Sequence, residues 1–191
     1  MTSALPDPPR TPKAAATRQR LLDLAADLFI EHGYDAVSLR DIAVAAGVTK
    51  GAIYGHFRSK GQMLVEVIRT ELERRDGSLD PEVAATDPAA MFDLFIHPGS
   101  RELRMLQIDA AAAARHDPDV AAGIEEIHET RSAGIVDSLD GVGDAETIAF
   151  VISALSAGVG VQESHQRELP DVDAWRRTVS RMFAAAYRGD R

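Results

Sequence analysis

The sequence contains no cysteine and few aromatic residues, which make up 5% of the chain. The absence of cysteine excludes disulfide bonds, thiolate zinc sites and cysteine nucleophiles. No apolar run reaches the ~18 residues that a membrane-spanning helix needs, and residues 1–20 contain no apolar segment typical of a signal peptide. These absences predict a cytoplasmic protein that is not associated with a membrane.

Alanine is abundant, whereas glycine and proline number 14 and 9 among 191 residues. Abundant alanine and few aromatic residues favour helices over sheets. Hydrophobic residues make up 45% of the chain, which is enough for one large helical domain or two smaller ones that share a core. We therefore expect an all-α fold.

Basic residues are outnumbered overall, since the net charge is −9, but the two signs are unevenly distributed. Residues 1–61 contain 8 Lys/Arg and 6 Asp/Glu, a net charge of +2, whereas residues 62–191 contain 13 and 24, a net charge of −11. An acidic surface repels phosphate, so any contact with nucleic acid belongs to the first third of the chain.

Helices account for most of the predicted structure. Residues 1–13 contain four prolines and are expected to form a flexible arm. Apolar residues then recur at helical spacing over residues 14–32, and Gly33 is placed to end this helix. Further helices, each bounded by a glycine, proline or capping residue, are expected at 39–46, 50 to 54 or 55, 60–76, 88–95, 100–115, 118–139, 144–165 and 171–188.

A helix-turn-helix pattern occupies residues 39–58, which read LRDIAVAAGVTKGAIYGHFR. Ala43, Gly47 and Ile53 stand at the fifth, ninth and fifteenth places of this segment. An alanine is small where two helices cross, a glycine allows a positive φ at the turn, and an isoleucine fills the wedge between the helices. An ordinary helical hairpin also fits these three positions.

The other face of this segment carries hydrogen-bond donors and small residues, and no acidic residue lies between Asp41 and Glu66. A short helix after such a turn enters the major groove, where its first residues face base edges while Tyr, His and Lys side chains contact phosphates. The pattern therefore favours binding of double-stranded DNA. The donors and small residues are Lys50, Gly51, Ala52, Tyr54, His56, Arg58 and Lys60.

The segment from Thr17 to Leu64, with EHGYDAVSLRDIAVAAGVTKGAIYGHFRSK at its centre, resembles the DNA-binding domain of TetR-family transcriptional regulators. The resemblance implies an all-α homodimer with a helix-turn-helix DNA-binding domain at 14–60 and a ligand-binding and dimerisation domain at 61–191. It further implies a repressor of a palindromic operator that a small-molecule effector releases. The remainder of the chain agrees with the family only in length and helix content.

The resemblance also assigns roles to individual residues. Ser38 and Arg40 match the start of the second helix, where Arg40 reaches a base or a phosphate, or instead pairs with a neighbouring acid. Tyr54, His56 and Lys60 match phosphate contacts, although a histidine at position 56 also suits a purely structural place. The front of the recognition helix is matched by Thr49, Lys50, Gly51 and Ala52.

One departure from the family pattern is Gly55, where the family often carries an aromatic residue or a histidine. One contact with DNA is therefore expected to be missing. Gly51 has no side chain to meet a thymine methyl group, which leaves Lys50 and Arg40 as the expected base readers.

Two apolar stripes near the C-terminus suggest how the chain pairs, because both are too apolar to remain exposed. An intramolecular core is the alternative, whereas the resemblance implies a four-helix dimer interface made by two helices from each subunit. The stripes comprise Ile148, Val151, Ile152, Leu155 and Val159 on one helix, and Trp175, Val179, Met182 and Phe183 on the other.

An apolar effector pocket is expected between residues 91 and 162, because methionine and phenylalanine supply adaptable and flat surfaces. A few polar groups, Asp109 among them, would orient the ligand, and the acidic domain favours a neutral or cationic one. Packing within the core is the alternative for each residue. The expected lining residues are Met91, Phe92, Phe95, Met105, Leu106 and Phe150.

Catalytic and metal-binding patterns are missing from the sequence. The histidines outside the first third lack the spacing of metal ligands, and no nucleophile-elbow, P-loop or dinucleotide-binding motif occurs. We expect no enzyme activity, no metal and no cofactor. A constitutive DNA-binding regulator without an effector is the alternative function.

Overall fold

The computed structural model describes residues 11–76, 97–138 and 144–186, which form eight α-helices and no strand. The expected all-α fold is confirmed. A short 3₁₀ turn at Pro98–Ser100 precedes the fifth helix. The helices are α1 Pro12–His32, α2 Leu39–Ala46, α3 Lys50–His56, α4 Lys60–Asp76, α5 Arg101–Ala113, α6 Pro118–Ser138, α7 Ala145–Ser164 and α8 Val172–Ala186. The helix predicted at 88–95 lies outside the described residues.

Helix α1 begins two residues earlier than the sequence indicated. Pro12 occupies the first helical turn, and the Thr11 hydroxyl accepts a hydrogen bond from the Ala14 nitrogen at 3.2 Å. Proline is well tolerated there because the first amide groups of a helix have no intrahelical acceptor. The predicted arm is therefore shorter by Pro12 and Lys13, which belong to the helix.

Glycine permits the two tight turns that separate the first three helices. Gly33 follows α1 with φ 81°, and Gly47 follows α2 in the left-handed region with φ 66° and ψ 30°. A side chain is strained at such angles. The two glycines that were expected to end these helices do so.

The described chain separates into two compact units. The first contains the described residues up to Thr70 together with Asp109–Ile124. The predicted boundary at residue 60 falls ten residues before Thr70. Its core includes Ile53, the expected wedge residue, and Ile42, both fully buried. Other fully or almost fully buried side chains of this unit are Leu21, Phe29, Phe57, Met63, Leu64 and Ile68.

Two glycines let α4 and α6 approach each other closely within the first unit. A Cβ atom on Gly61 of α4 would lie 2.8 Å from Val120 Cγ2 of α6. A Cβ atom on Gly123 of α6 would lie 2.5 Å from Val65 Cγ1 of α4. Such separations do not occur between real side chains, so the crossing requires a glycine from each helix.

The second unit contains the described residues of Glu71–Ile108 and those from Glu125 onward. Arg104 of α5 is 2% exposed and forms a two-pronged ion pair with Glu163 of α7, with Nη2 donating to Oε1 at 2.8 Å. Arg104 Nη1 also donates to the His97 carbonyl at 3.3 Å. A buried charge is costly unless it is paired and hydrogen-bonded, and this arginine meets both conditions.

Helix α7 is the one helix among the described residues that is long and apolar enough to cross a membrane by length and composition. Only 22% of its apolar window is buried inside the chain. Core helices of soluble proteins have the same composition, so this observation is weak evidence for a membrane. It does show that α7 presents apolar surface outward.

Candidate DNA-binding face

Helices α2 and α3 form a helix-turn-helix around buried apolar residues. Leu39, Ile42, Ala43 and Ala46 face inward from α2, and Ile53 faces inward from α3. The turn is stabilised because the Val48 nitrogen donates to the Ala43 carbonyl at 2.9 Å. Because the inner sides of both helices pack into the core, their outer sides are exposed.

The outer sides carry most of the residues that the sequence predicted for DNA contact. His56 and Lys60 are half-buried, and Tyr54 is 48% exposed. The remaining exposed members of the predicted set are Ser38, Arg40, Thr49, Lys50, Gly51 and Ala52. The structure thus gathers on one helix-turn-helix the groups that could donate to phosphates and base edges.

Ser38 and Thr49 begin the two helices. The Ser38 hydroxyl accepts from the Asp41 nitrogen at 3.2 Å, and the Ser38 nitrogen donates to Asp41 Oδ2 at 2.9 Å. This reciprocal pair of hydrogen bonds is a capping box. Hydrogen bonds from the Ser38 hydroxyl and nitrogen lower the pKa of Asp41. The Thr49 hydroxyl accepts from the Ala52 nitrogen at 3.2 Å.

The recognition helix α3 has two glycines with open space around them. A Cβ atom on Gly55 would meet no atom within 4 Å, and one on Gly51 would meet only the Thr49 hydroxyl, at 4.0 Å. The Lys50 ammonium lies 5.8 Å from the centre of the Tyr54 ring. The exposed surface of α3 therefore consists of backbone that no side chain covers at the two glycines, beside the ammonium of Lys50 and the phenol of Tyr54.

Lys60 has structural contacts that sequence reasoning missed. Its ammonium donates to the carbonyls of Tyr34 and Asp35, at 2.8 and 3.4 Å, and lies 4.0 Å from the centre of the Tyr34 ring. The phosphate contact expected of Lys60 stays a prediction. The structure adds a second role, since this lysine holds the turn between α1 and α2.

Arg18 and Val44 were also missed. The Arg18 guanidinium lies 4.5 Å from the centre of the Phe57 ring and pairs with Glu66 at 3.2 Å, so it joins α1 to α4 behind the recognition helix. Val44 is 73% exposed on α2, one turn after Arg40. An exposed valine between predicted DNA contacts suits apolar contact with DNA, but no local pattern distinguishes it from a core residue.

The residues predicted to line an effector pocket are only partly brought together. Leu106 is 1% exposed, and Met105 is half-buried on the same helix. Phe150 is 72% exposed, which corrects its assignment to a pocket lining within the chain. The carboxylate of Asp109 accepts a hydrogen bond from the Tyr34 nitrogen at 2.9 Å, and its expected role in orienting a ligand stays a prediction. Met91, Phe92 and Phe95 lie outside the described residues.

The residues predicted for the dimer interface divide between core and surface. Ile152 and Val179 are 5% and 3% exposed in a cluster with Ile135 and Ala149. Ile148 and Trp175 pack against that cluster, and Val159 is 7% exposed. These five residues are buried or partly buried within the single chain, which favours the intramolecular alternative for them, and a role in a dimer interface stays a prediction.

The other predicted interface residues differ among themselves. Val151 and Met182 are 41% and 60% exposed and so remain on the surface. Leu155 is half-buried. The side chain of Phe183 is outside what the structure describes.

No group of three or more His, Asp or Glu side chains is placed to hold a metal ion within residues 11–76, 97–138 and 144–186. The chemistry of the exposed α2–α3 face is that of hydrogen-bond donors and cations. Two short helices, joined by a tight turn at a glycine in the left-handed conformation, pack together on a third helix. This arrangement defines a helix-turn-helix DNA-binding fold.

Comparisons with known proteins lead to the same class. Residues 21–67 match the family described as bacterial regulatory proteins, tetR family. The chain is 47% identical over 68 residues to the transcriptional repressor KstR2 of Mycolicibacterium smegmatis, covering 36% of this chain and 32% of that protein. It is 30% identical over 125 residues to the repressor Rv1474c of Mycobacterium tuberculosis, covering 65% of each.

A solved structure with the same fold is a transcriptional regulator from Saccharomonospora viridis in complex with choline. The TM-score is 0.70 at 23% identity, and the match covers 89% of this chain and 96% of the other. The chain spans less than two thirds of the length of both curated relatives. Residues 21–67 are therefore similar to the DNA-binding domain of TetR-family transcriptional regulators. Members of this family are transcription factors and not enzymes.

Proposed function

We propose that this protein is a cytoplasmic transcriptional repressor that binds a palindromic operator as a homodimer and releases it when a small molecule binds. The observation that carries the proposal is the α2–α3 face, where Arg40, Lys50 and Tyr54 are exposed together. Both curated relatives are described as repressors, which supports repression over activation.

The face suits the major groove of DNA. Lys50, Gly51 and Ala52 begin α3, so they would reach base edges first. The side chains of Arg40 and Lys50 are long enough to donate to guanine, whereas Gly51 and Gly55 let the helix backbone come close. Tyr54 and His56 would donate to phosphates along the groove. The net charge of +2 over residues 1–61 makes this the favourable part of the chain for DNA.

The DNA-binding proposal is tested by selecting duplexes from a random library with the wild-type protein and measuring affinity by fluorescence anisotropy. We expect a palindromic sequence to be enriched. Arg40→Ala and Lys50→Ala should weaken binding to the selected duplex by about tenfold each, because a good base contact contributes ~1–3 kcal/mol of discrimination. Random duplexes should be affected less. The absence of any enriched sequence, or equal losses on both duplexes, would contradict this assignment.

Helix α7 supports the homodimer part of the proposal. Its outward side carries Phe150 and Val151, 72% and 41% exposed, and Val161 three turns further on, 39% exposed. Ala154, Ala157 and Gly158 are exposed between them, and a Cβ on Gly158 would meet nothing within 4 Å. An apolar stripe with small residues at its middle suits close packing against the same helix of a second subunit.

This dimer interface can be tested without disturbing the core, because its residues are exposed in the single chain. Phe150→Asp should give monomers in sedimentation at micromolar concentration, since the charge would be buried without a partner. Ala112→Asp on the exposed side of α5 is the matched control and should remain dimeric. A Phe150→Asp protein that stays dimeric would exclude this stripe as the interface.

The effector is proposed to be small and mostly apolar, neutral or cationic. Support comes from the apolar side chains of Met105 and Leu106 in the second unit and from the charge of −11 over residues 62–191. Met91, Phe92 and Phe95 remain proposed lining residues. The regulator of similar fold from Saccharomonospora viridis contains choline, a cation.

A thermal-shift screen of metabolites and drugs, followed by operator release for each hit, tests the effector proposal. A ligand that binds the folded state raises the melting temperature, and a true effector also lowers operator affinity. The alternative is a constitutive regulator without an effector. It is favoured if no compound in a broad screen produces both effects.

A further inference from the structure

The end of helix α1 is completed by a residue far along the chain. After the last turn of α1, the Gly33 nitrogen donates to the Phe29 carbonyl at 2.9 Å. In a common helix ending the next amide would donate to a carbonyl of the same helix. Here the Tyr34 nitrogen donates instead to Asp109 Oδ2 of α5, at 2.9 Å and across 75 positions.

Tyr34 makes contacts with several helices of the first unit. Its carbonyl accepts from the Lys60 ammonium of α4 at 2.8 Å, and its ring packs edge-on against Phe29 of α1 at 5.4 Å between centres. The residue is 5% exposed. The Val37 nitrogen also donates to the Tyr34 carbonyl, at 3.3 Å. The short turn that leads into α2 is therefore tied at both main-chain groups of one residue.

This turn sets where α2 begins. Ser38, the N-cap of α2, lies four residues after Tyr34, and Arg40 lies in the first turn of the helix. A displacement of Tyr34 would be passed along a turn of only a few residues to Arg40. Since base contacts depend on placement to within a fraction of an ångström, a small shift there reduces sequence-specific binding first.

We infer that Asp109 is a positioning residue for DNA recognition, which holds the α1–α2 turn through Tyr34 and thereby places Arg40. The inference rests on the proposed DNA-binding function and adds to it a residue outside the helix-turn-helix. Helix α5 runs without a break from Arg101 to Ala113, and Asp109 is its first residue assigned to the first unit.

The test compares one variant whose side chain cannot accept the hydrogen bond with one whose side chain can. Asp109→Leu replaces the acceptor by a larger, branched apolar side chain, whereas Asp109→Asn keeps a carbonyl oxygen at nearly the same volume and removes the charge. Glu102→Gln, an exposed residue of the same helix, is the matched control for loss of one negative charge. Affinities are measured on the duplex selected by the wild-type protein and on a random duplex of equal length.

Asp109→Leu should bind the selected duplex about tenfold more weakly, because a partly buried donor is left without its acceptor. Its affinity for the random duplex should remain within about twofold of wild type, since phosphate contacts tolerate small displacements. Asp109→Asn and Glu102→Gln should both behave like wild type on both duplexes. Faster hydrogen exchange at the Tyr34 amide in Asp109→Leu alone would report the lost contact directly.

Two results would overturn the inference. Wild-type affinity of Asp109→Leu for the selected duplex would show that the contact does not place Arg40. Equal losses on both duplexes would show a general loss of structure instead of a positioning role. If the wild-type protein selects no duplex at all, the proposed function itself fails, and that outcome is distinct from both.

Discussion

Gly123 of α6 lies so close to Val65 of α4 that a Cβ atom at Gly123 would be 2.5 Å from Val65 Cγ1 and 2.7 Å from Cγ2. Valine is stiff about its first side-chain torsion, so it cannot turn away without strain. The two helices therefore cross at a distance that only glycine permits. This contact fixes the position of α4 within the first unit, behind the helix-turn-helix.

Gly123→Ala should lower the free energy of unfolding by about 1–3 kcal/mol, because overpacking forces the helices apart. Gly134→Ala on the same helix is the matched control, since a Cβ there would meet nothing within 4 Å. Alanine should stabilise that exposed position by about 0.5–1 kcal/mol through helix propensity. Urea unfolding of both variants gives the comparison, and equal effects would contradict the close crossing.

The buried ion pair between Arg104 and Glu163 predicts a large effect of charge removal. Glu163→Gln should destabilise the protein by about 3 kcal/mol, because Arg104 would remain charged and buried without its partner. Glu71 pairs with Arg74 on the surface, so Glu71→Gln should change stability by less than about 1 kcal/mol. Thermal or urea unfolding provides the measurement. Equal stability of the two variants would contradict the predicted role of the buried ion pair.

Tyr34 predicts a loss of stability at alkaline pH. Burial, together with the carboxylates of Asp117 and Asp35, raises the pKa of Tyr34 to about 12 from its ordinary value of 10.0. The protonated phenol therefore contributes stability in full below pH 10, and this contribution is lost as the pH rises towards 12. The free-energy difference between wild type and Tyr34→Phe should narrow over that range. A constant difference from pH 9 to 12 would show that Tyr34 titrates normally.

Removal of the Lys50 side chain and removal of the Lys60 side chain should affect the stability of the protein differently. Lys50 is exposed beside Tyr54, so Lys50→Ala should leave the melting temperature unchanged while operator binding weakens. Lys60→Ala should also lower stability by about 1–2 kcal/mol, because two main-chain carbonyls lose a charged donor. Melting curves of both proteins provide the measurement. A Lys60→Ala protein as stable as wild type would leave only the predicted phosphate contact for this residue.

Local sequence signals predicted the helix-turn-helix accurately. Helix α2 begins and ends where Ser38 and Gly47 indicated, because a capping box and a left-handed glycine are both local in the chain. The prediction was wrong at Pro12, because a run of prolines also fits a disordered arm. A single proline is compatible with the first turn of a helix.

Tertiary contacts could not be predicted in the same way. Asp109 and Tyr34 are 75 positions apart, and nothing in the sequence around either residue indicates the other. Helix α7 is apolar on both sides, so helical periodicity did not decide which side faces the core. The buried side proved to contain Ile152 and Val159, whereas Phe150 and Val151 are exposed.

The proposal that two linked recognition helices read a palindrome is tested most directly by the spacing of the half-sites. The measurement is the affinity of the wild-type protein for the selected duplex and for the same duplex with five base pairs inserted at its centre. Insertion rotates one half-site by about half a helical turn, since B-DNA repeats every ~10–10.5 base pairs. We expect the affinity to fall by about a hundredfold, towards that for random DNA. Unchanged affinity would contradict the account, because it would mean that each subunit binds its half-site independently.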